Sequence, residues 1–287
     1  MSVRLYLILA LALVSVSTTS LVIRYVASVP ALVLAFWRMF SASGMLWGYS
    51  KVFPSGGLTL KNRTRIIFAG FFLGLHFAFF FLSVRYTSIA NSTLLANTGP
   101  FFTVIIALVL KQRLSRKIYF GLGVSMLGLV VVQGSSFQLE TTAIYGNSLA
   151  ILSGLCIALT YVFASKIRQE TDNVSYGRTL FLIAAVTIGL IALASGDSLF
   201  SFKKEHVFWL LFLGFVPSIL GHNMLNYSLK YLSPTAIASV PLGEPIIASI
   251  FGYFIFQESI PTGAFLGGPI ILAGIYIILQ GQNTDST

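Results

Sequence analysis

Ten apolar runs, each close to the length of a membrane-crossing helix, follow one another along the 287-residue chain. A helix needs about 20 apolar residues to cross a hydrocarbon core of about 30 Å. The runs are continuous rather than alternating, which excludes the strands of a membrane β-barrel. The sequence therefore predicts an all-α integral membrane protein with ten transmembrane helices. These predicted spans, numbered 1 to 10, are residues 5–24, 31–50, 66–84, 89–110, 118–134, 144–165, 176–195, 206–229, 234–256 and 263–280.

The composition agrees with a membrane protein, because 56% of the residues are apolar and only 9% are charged. A water-soluble domain carries about 25% charged residues, so an ordinary soluble enzyme and a disordered chain are excluded. The net charge of +10 does not indicate nucleic acid as a partner, since no polybasic tract is interleaved with aromatic residues. The three histidines and the single cysteine show no metal-ligand or catalytic spacing, so no metal site is expected.

The distribution of Lys and Arg predicts the orientation. With the N-terminus inside, 13 of the 18 basic residues lie on the cytoplasmic side, and Arg38 lies within a span. Cytoplasmic loops carry an excess of Lys and Arg, so both termini are expected in the cytoplasm, with residues 282–287 as a short tail. The first run also has features of a signal peptide. It is longer than a usual signal core and has no clear cleavage site, so a retained helix is expected.

An internal repeat relates the two halves of the chain. Residues 83–115 align with residues 228–260 at an offset of 145. The repeat matches predicted spans 3 to 5 with spans 8 to 10, so each half has five helices. Because five is odd, the second half must enter the membrane from the opposite side, which gives two inverted repeats, 1–134 and 144–281. The matched residues include Tyr86 and Tyr231, Ser88 and Ser233, Pro100 and Pro245, and Gln112 and Gln257.

Three stretches of the sequence resemble the drug/metabolite transporter superfamily, whose ten-helix members consist of two EamA-type domains. They are VPALVLAFWR at 29–38, LSVRYTS at 82–88 with GP at 99–100, and LKY at 229–231 with LGEP at 242–245 and FQES at 256–259. Gln112 stands where the family usually has Glu, whereas Glu258 keeps the acid in the second half. The resemblance implies a transporter of small metabolites, often an exporter of amino acids, with no cofactor and no ATP site. The chain also has no phosphate-binding loop of the Walker type.

Arg38 and Glu244 are charged residues that lie well inside predicted spans. Arg38 is the eighth residue of span 2, roughly 12 Å below the outer surface. Its guanidinium stays charged, so it either binds a substrate carboxylate or phosphate or is held by backbone carbonyls or a buried acid. Glu244 lies halfway along span 9, before Pro245. It either carries a proton, pairs with Arg38 or stabilises a helix kink, and these alternatives stay open.

Span 8 carries a polar stripe, because Ser218, His222 and Asn226 follow one another at intervals of four residues and so share a helix face. Intramembrane polar clusters are functional candidates by default, although hydrogen bonding between helices is the alternative. His76 stands among phenylalanines and is expected mainly to pack, and Trp37 is either a stacking platform or an interface anchor. The candidate cavity residues are Arg38, Trp37, His222, Asn226, Asn223, Tyr227, Glu244, Asn97 and His76.

An inverted repeat with intramembrane polar groups is typical of secondary transporters, whose substrate site lies near the midplane between the halves. We therefore expect an alternating-access transporter in a bacterial inner membrane that exports an amino acid or organic anion, with proton coupling or exchange as the energy source. Its partners are a small-molecule substrate and the lipid bilayer. A passive channel or facilitator is the main alternative. A membrane-embedded enzyme is a further one, which lacks support because no nucleophile-base or metal motif is present.

Overall fold

The computed structural model describes residues 2–133, 143–257 and 262–282, and all regular structure within these ranges is helical. Ten helical segments correspond to the predicted spans. In the described part of the chain, nine of them, all except span 5, are long and apolar enough to cross a membrane. The predicted all-helical multi-span architecture is confirmed. The bounds are Val3–Tyr25 (span 1), Ala31–Val52 (2), Leu60–Tyr86 (3), Ile89–Ala96 with Gly99–Val109 (4), Arg116–Gln133 (5), Ile144–Arg168 (6), Asn173–Ala194 (7), Val207–Leu213, Gly214–His222 and Asn223–Ser228 (8), Pro234–Ser239, Val240–Gly243 and Glu244–Phe256 (9), and Thr262–Gly281 (10).

Short polar side chains fix where several spans begin. The repeat-matched Ser88 and Ser233 start spans 4 and 9 in the same way, since each hydroxyl accepts a hydrogen bond from the amide three residues later. Asp172 starts span 7 by accepting bonds from the amides of Val174 and Ser175 at 3.0 and 2.9 Å. Such caps satisfy amides that have no partner within the helix.

Spans 4 and 9 are interrupted at matched positions. Span 4 breaks after Ala96, just before Pro100, and span 9 tightens into a 3₁₀ turn at Val240–Gly243, just before Pro245. Proline has no amide hydrogen and disfavours a continuous helix. Irregular backbone at membrane depth is tolerated where it is buried in protein or lines a cavity, so these breaks point to the interior of the bundle.

Span 8 contains a π-helical stretch, Gly214–His222, around Pro217. Because Pro217 cannot donate, the carbonyl of Leu213 four residues earlier lacks its usual partner. The Ser218 hydroxyl donates to that carbonyl at 2.8 Å. π-Helical turns are frequent at functional sites, and this one lies beside Arg38.

The helix contacts lie mainly between the two halves of the chain. Span 3 packs on spans 6 and 7, and span 8 correspondingly packs on spans 1 and 2. Span 4 packs on span 6 as span 9 packs on span 1, while spans 2 and 7, 4 and 9, and 5 and 10 pair with each other. Exchanging spans 1–5 with spans 6–10 therefore leaves this set of contacts unchanged.

Glycines bring spans 5 and 10 close together. A Cβ added to Gly128 would lie 2.7 Å from the Ile271 amide nitrogen, and one added to Gly274 would lie 2.6 Å from the Gly121 carbonyl oxygen. Small residues let membrane helices approach in this way. The seven-residue glycine spacing in both helices thus serves one shared interface.

The side of the membrane that the termini face and the repeat boundaries 1–134 and 144–281 stay predictions. Glu258 and residues 283–287 of the predicted tail lie outside the described residues. Gln282 is described, and its side-chain oxygen accepts a hydrogen bond from the Ser233 amide at 2.8 Å.

Candidate functional site

A small cavity lies at the centre of the bundle, where spans 1, 2, 3, 4, 6, 8 and 9 converge. Its volume is about 50 Å³, which is room for a few water molecules, since one water needs roughly 10–15 Å³ on this scale. Apolar side chains, among them Phe77 and Phe80, form part of the wall. The polar wall consists of Thr19, Arg38, His76, Thr93, Asn97, Tyr161, His222 and Glu244.

Arg38 supplies the positive charge of the cavity and is only 1% exposed. Its Nε donates to Ser218 Oγ at 2.9 Å, Nη1 to Thr19 Oγ1 at 3.2 Å and Nη2 to the Pro217 carbonyl at 3.4 Å. The guanidinium also lies 4.2 Å from the centroid of the Phe77 ring. A guanidinium has five N–H donors, so two of them remain without an acceptor among the described residues.

Glu244 supplies the negative charge. It is the first residue of the last helical segment of span 9, where the helix dipole stabilises a carboxylate. No ion pair within 4 Å joins it to Arg38 among the described residues. Two opposite charges therefore share one cavity without touching each other.

The two cavity histidines differ in their hydrogen bonding. His76 Nδ1 lies 2.8 Å from Ser153 Oγ and 3.0 Å from the Ser153 carbonyl oxygen. A protonated Nδ1 donates to the Ser153 carbonyl, and an unprotonated Nδ1 accepts from the Ser153 hydroxyl, so either tautomer ties this nitrogen to Ser153. His222 packs edge-on against Phe77 with ring centroids 5.1 Å apart, and its centroid lies 6.3 Å from that of His76. Within the described residues the His222 ring makes no hydrogen bond, so both of its nitrogens are available to a ligand.

Two further polar groups at the cavity have no protein partner among the described residues. They are the side-chain amide nitrogen of Asn97 and the hydroxyl of Tyr161. Tyr161 is 2% exposed, and a buried hydroxyl without a partner costs free energy. Sequence reasoning missed Tyr161, although the repeat offset of 145 pairs it with Val16, which also lines the cavity.

The candidate residues from the sequence separate into two groups. Arg38, His76, Asn97, His222 and Glu244 line the central cavity together. The others, which are Trp37, Asn223, Asn226 and Tyr227, are not part of its wall.

Trp37 lies in an aromatic cluster instead. Its indole nitrogen donates to the Leu199 carbonyl at 2.7 Å, and its ring packs against Phe200 and Phe202. Asn223 directly follows His222, and Asn226 lies about one turn beyond it. Their backbone carbonyls accept hydrogen bonds from the Asn173 side chain and from Arg168.

The sequence is similar to a known protein family and to several of its members. The model of the EamA-like transporter family matches residues 3–133 and 144–280. An uncharacterized transporter of Archaeoglobus fulgidus is 28% identical over 87% of this chain and 88% of its own length. The pseudopaline exporter CntI of Pseudomonas aeruginosa is 25% identical over 88% of this chain and 87% of its own length. A probable amino-acid metabolite efflux pump of Salmonella typhimurium is 24% identical, covering 74% of each chain.

A solved crystal structure has the same fold. It superposes with a TM-score of 0.82 over 100% of both chains, at 15% sequence identity. At this identity the likeness concerns the fold alone.

Proposed function

Since this chain belongs to the EamA-like transporter family, we propose that it is a secondary transporter that exports a small metabolite with both a carboxylate and an ammonium group, such as an amino acid. The chain is a multi-pass protein of the bacterial inner membrane, and its relatives are named as transporters and efflux pumps. The substrate class, the direction and the mechanism are the proposal.

The observation that carries the proposal is the pair of separated charges in the central cavity. The two free N–H donors of Arg38 match the two oxygens of a carboxylate, which guanidinium groups bind as a fork. Glu244 is then the acceptor for an ammonium group. A substrate with both groups neutralises the buried Arg38 and the half-buried Glu244. An organic anion would leave Glu244 without a partner, and a partly desolvated charge without a partner is unfavourable.

The position of the cavity supports transport between two inverted repeats. Cavity residues of one half have counterparts at an offset of 145 in the other half that also line the cavity. If a two-fold axis in the membrane plane relates residues 1–134 to 144–281, such pairs lie at equal depth, and the cavity lies on the axis near the midplane. The pairs are Val16 and Tyr161, Thr93 and Ala238, Ala96 and Pro241, and Gly99 and Glu244.

The small volume of the cavity favours alternating access. Room for a few water molecules does not admit an amino acid, so helices must move before substrate enters. Rocking of one half against the other would expose the site to each side in turn. After substrate release the empty transporter must return to its starting conformation. A proton on Glu244, or a second substrate molecule bound in exchange, would neutralise the charge of the cavity during this step.

Counterflow into proteoliposomes tests the proposal. Vesicles loaded with unlabelled alanine, glutamate or succinate receive a trace of the same labelled solute outside. We expect saturable, counterflow-stimulated uptake of an amino acid and none of succinate, and a loss of at least about tenfold, worth one charged hydrogen bond, in Arg38→Gln and in Glu244→Gln. Trp37→Phe, outside the cavity, is the control that keeps uptake. Flux linear in concentration would instead identify a channel, and selective succinate uptake would identify an organic-anion carrier.

A further inference from the structure

A second polar pocket lies at the end of the bundle that the basic residues place in the cytoplasm. The turn between spans 6 and 7 and the end of span 8 enclose about 330 Å³. No lining residue is shared with the central cavity. Its lining includes the donors of Arg168, Lys230, Tyr227 and Tyr231 and also two acids, Glu170 and Asp172.

Arg168 forms the base of this pocket. It is only 3% exposed, its Nε donates to the Asn226 carbonyl at 3.1 Å, and its Nη1 donates to the Thr171 carbonyl. Among the described residues, its Nη2 group has no hydrogen-bond acceptor. Part of a buried guanidinium therefore faces the pocket without a partner.

The acids beside Arg168 do not neutralise it by contact. Glu170 accepts a hydrogen bond from the Asn62 amide at 3.1 Å, and Asp172 caps span 7. In the described residues neither acid lies within 4 Å of the cationic groups of Arg168 or Lys230. The buried guanidinium of Arg168 therefore has no contact ion pair in the described residues, and an anion in the pocket can supply that contact.

Two tyrosines complete the pocket. The hydroxyls of Tyr227 and Tyr231 are 3.3 Å apart, so one donates to the other and one O–H is left for a ligand. The same two tyrosines also border a groove of about 200 Å³ that contains Arg4. Positive charge thus continues from Arg168 past the tyrosine pair to the start of span 1.

We propose that this pocket is an oxyanion-binding site, which takes a carboxylate or phosphate group. Arg168 is the buried anchor, and Lys230, Tyr227 and Tyr231 hold the anion at the mouth. The proposal does not depend on what the central cavity transports. The anion comes either from a small solute or from an anionic lipid headgroup, and both present the same oxygens.

Saturation-transfer NMR on the detergent-purified protein tests the site with methylphosphonate and acetate as probes, because each carries a methyl signal. We expect transfer to at least one probe. The affinity should fall about tenfold, the equivalent of one charged hydrogen bond, in Arg168→Gln. The same fall is expected in the double variant Lys230→Gln/Tyr227→Phe, which keeps both carbonyl bonds of Arg168 and so guards against misfolding.

A background variant and a control separate this site from other charges. All pocket variants are measured in an Arg38→Gln background, which removes the carboxylate-binding cation of the central cavity. Lys203→Gln removes an exposed cation outside the pocket, so it should not change transfer to the probes. Retained transfer in both pocket variants, or an equal loss in Lys203→Gln, overturns the proposal.

A lipid arm identifies the source of the anion. Protein in nanodiscs that contain phosphatidylglycerol and phosphatidylcholine is analysed for retained lipid by mass spectrometry. Preferential retention of phosphatidylglycerol by the wild type, but not by the pocket variants, supports the site with a lipid headgroup as its ligand. Absence of binding in both the solute and the lipid arms refutes it.

Discussion

Replacing Gly128 by alanine should force spans 5 and 10 apart, and the same replacement at Gly123 of span 5 is the control. A Cβ at Gly128 would meet the Ile271 amide nitrogen at 2.7 Å and the Gly267 carbonyl oxygen at 2.8 Å. Both obstacles are backbone atoms, so no side chain can rotate away. The helices must separate until this contact grows from 2.7 Å to the 3.4 Å of ordinary van der Waals contact. At Gly123, an added Cβ would have no atom within 4 Å among the described residues outside its own stretch of helix.

The two substitutions should therefore change the free energy of unfolding differently. Forcing a methyl group into a packed interface costs about 1–3 kcal/mol, which outweighs the gain of up to about 1 kcal/mol from replacing glycine by alanine within a helix. Gly128→Ala should lower the free energy of unfolding, while Gly123→Ala should leave it unchanged or raise it. At about 2–4 °C per kcal/mol for a protein of this size class, the midpoint of Gly128→Ala falls by several degrees.

The sole cysteine of the sequence makes the assay simple. Cys156 is 6% exposed, so a thiol-reactive fluorophore reports thermal unfolding of the detergent-purified protein. A Gly128→Ala midpoint equal to that of the wild type would refute the close approach of spans 5 and 10. An equal loss in Gly123→Ala would show that the effect does not come from packing between spans 5 and 10, since alanine has the better helix propensity and cannot lower the stability in that way.

Two further substitutions separate binding from stability. Tyr161→Phe removes a buried hydroxyl that has no partner among the described residues, so the unfolding midpoint should stay the same or rise. The apparent Km for the transported amino acid should rise several-fold. An unchanged Km would show that Tyr161 does not contact the substrate. Trp37→Phe loses the 2.7 Å hydrogen bond to the Leu199 carbonyl and should lower the free energy of unfolding by about 1 kcal/mol, with the Km unchanged. A raised Km would show that Trp37 contacts the substrate.

The architecture follows from the sequence because a membrane leaves few choices. Apolar runs of sufficient length must be helical in lipid, and this alone predicts the helical segments. The repeat can be recognised in the sequence because its signals are local. The matched Ser88 and Ser233 each cap a helix, and the glycine spacing lets spans 5 and 10 pack closely. The π-helical stretch around Pro217 is different, since Arg38 on span 2 donates to the Ser218 hydroxyl and the Pro217 carbonyl within it, and a contact between distant residues gives no local sequence signal.

The site was only partly predictable for a related reason. A charge inside a span, such as Arg38 or Glu244, has few alternatives to an interior position. Helical periodicity placed His222 and Asn226 on one face, but a face extends over the whole length of span 8, and only the level of His222 coincides with the cavity. Tyr161 gave no signal by itself, because tyrosine is common at membrane interfaces and its depth depends on how span 6 packs.

Competition in counterflow by derivatives of one amino acid tests the central claim most directly. The parent compound, its amide, which lacks the carboxylate, and its N-acetyl form, which lacks the ammonium, compete with the labelled amino acid in wild-type proteoliposomes. If Arg38 and Glu244 each hold one charged group, both derivatives should compete at least about tenfold more weakly than the parent, since each forfeits a charged hydrogen bond. Equal competition by the parent and the N-acetyl form would contradict the pairing with Glu244, and equal competition by the amide would contradict the pairing with Arg38.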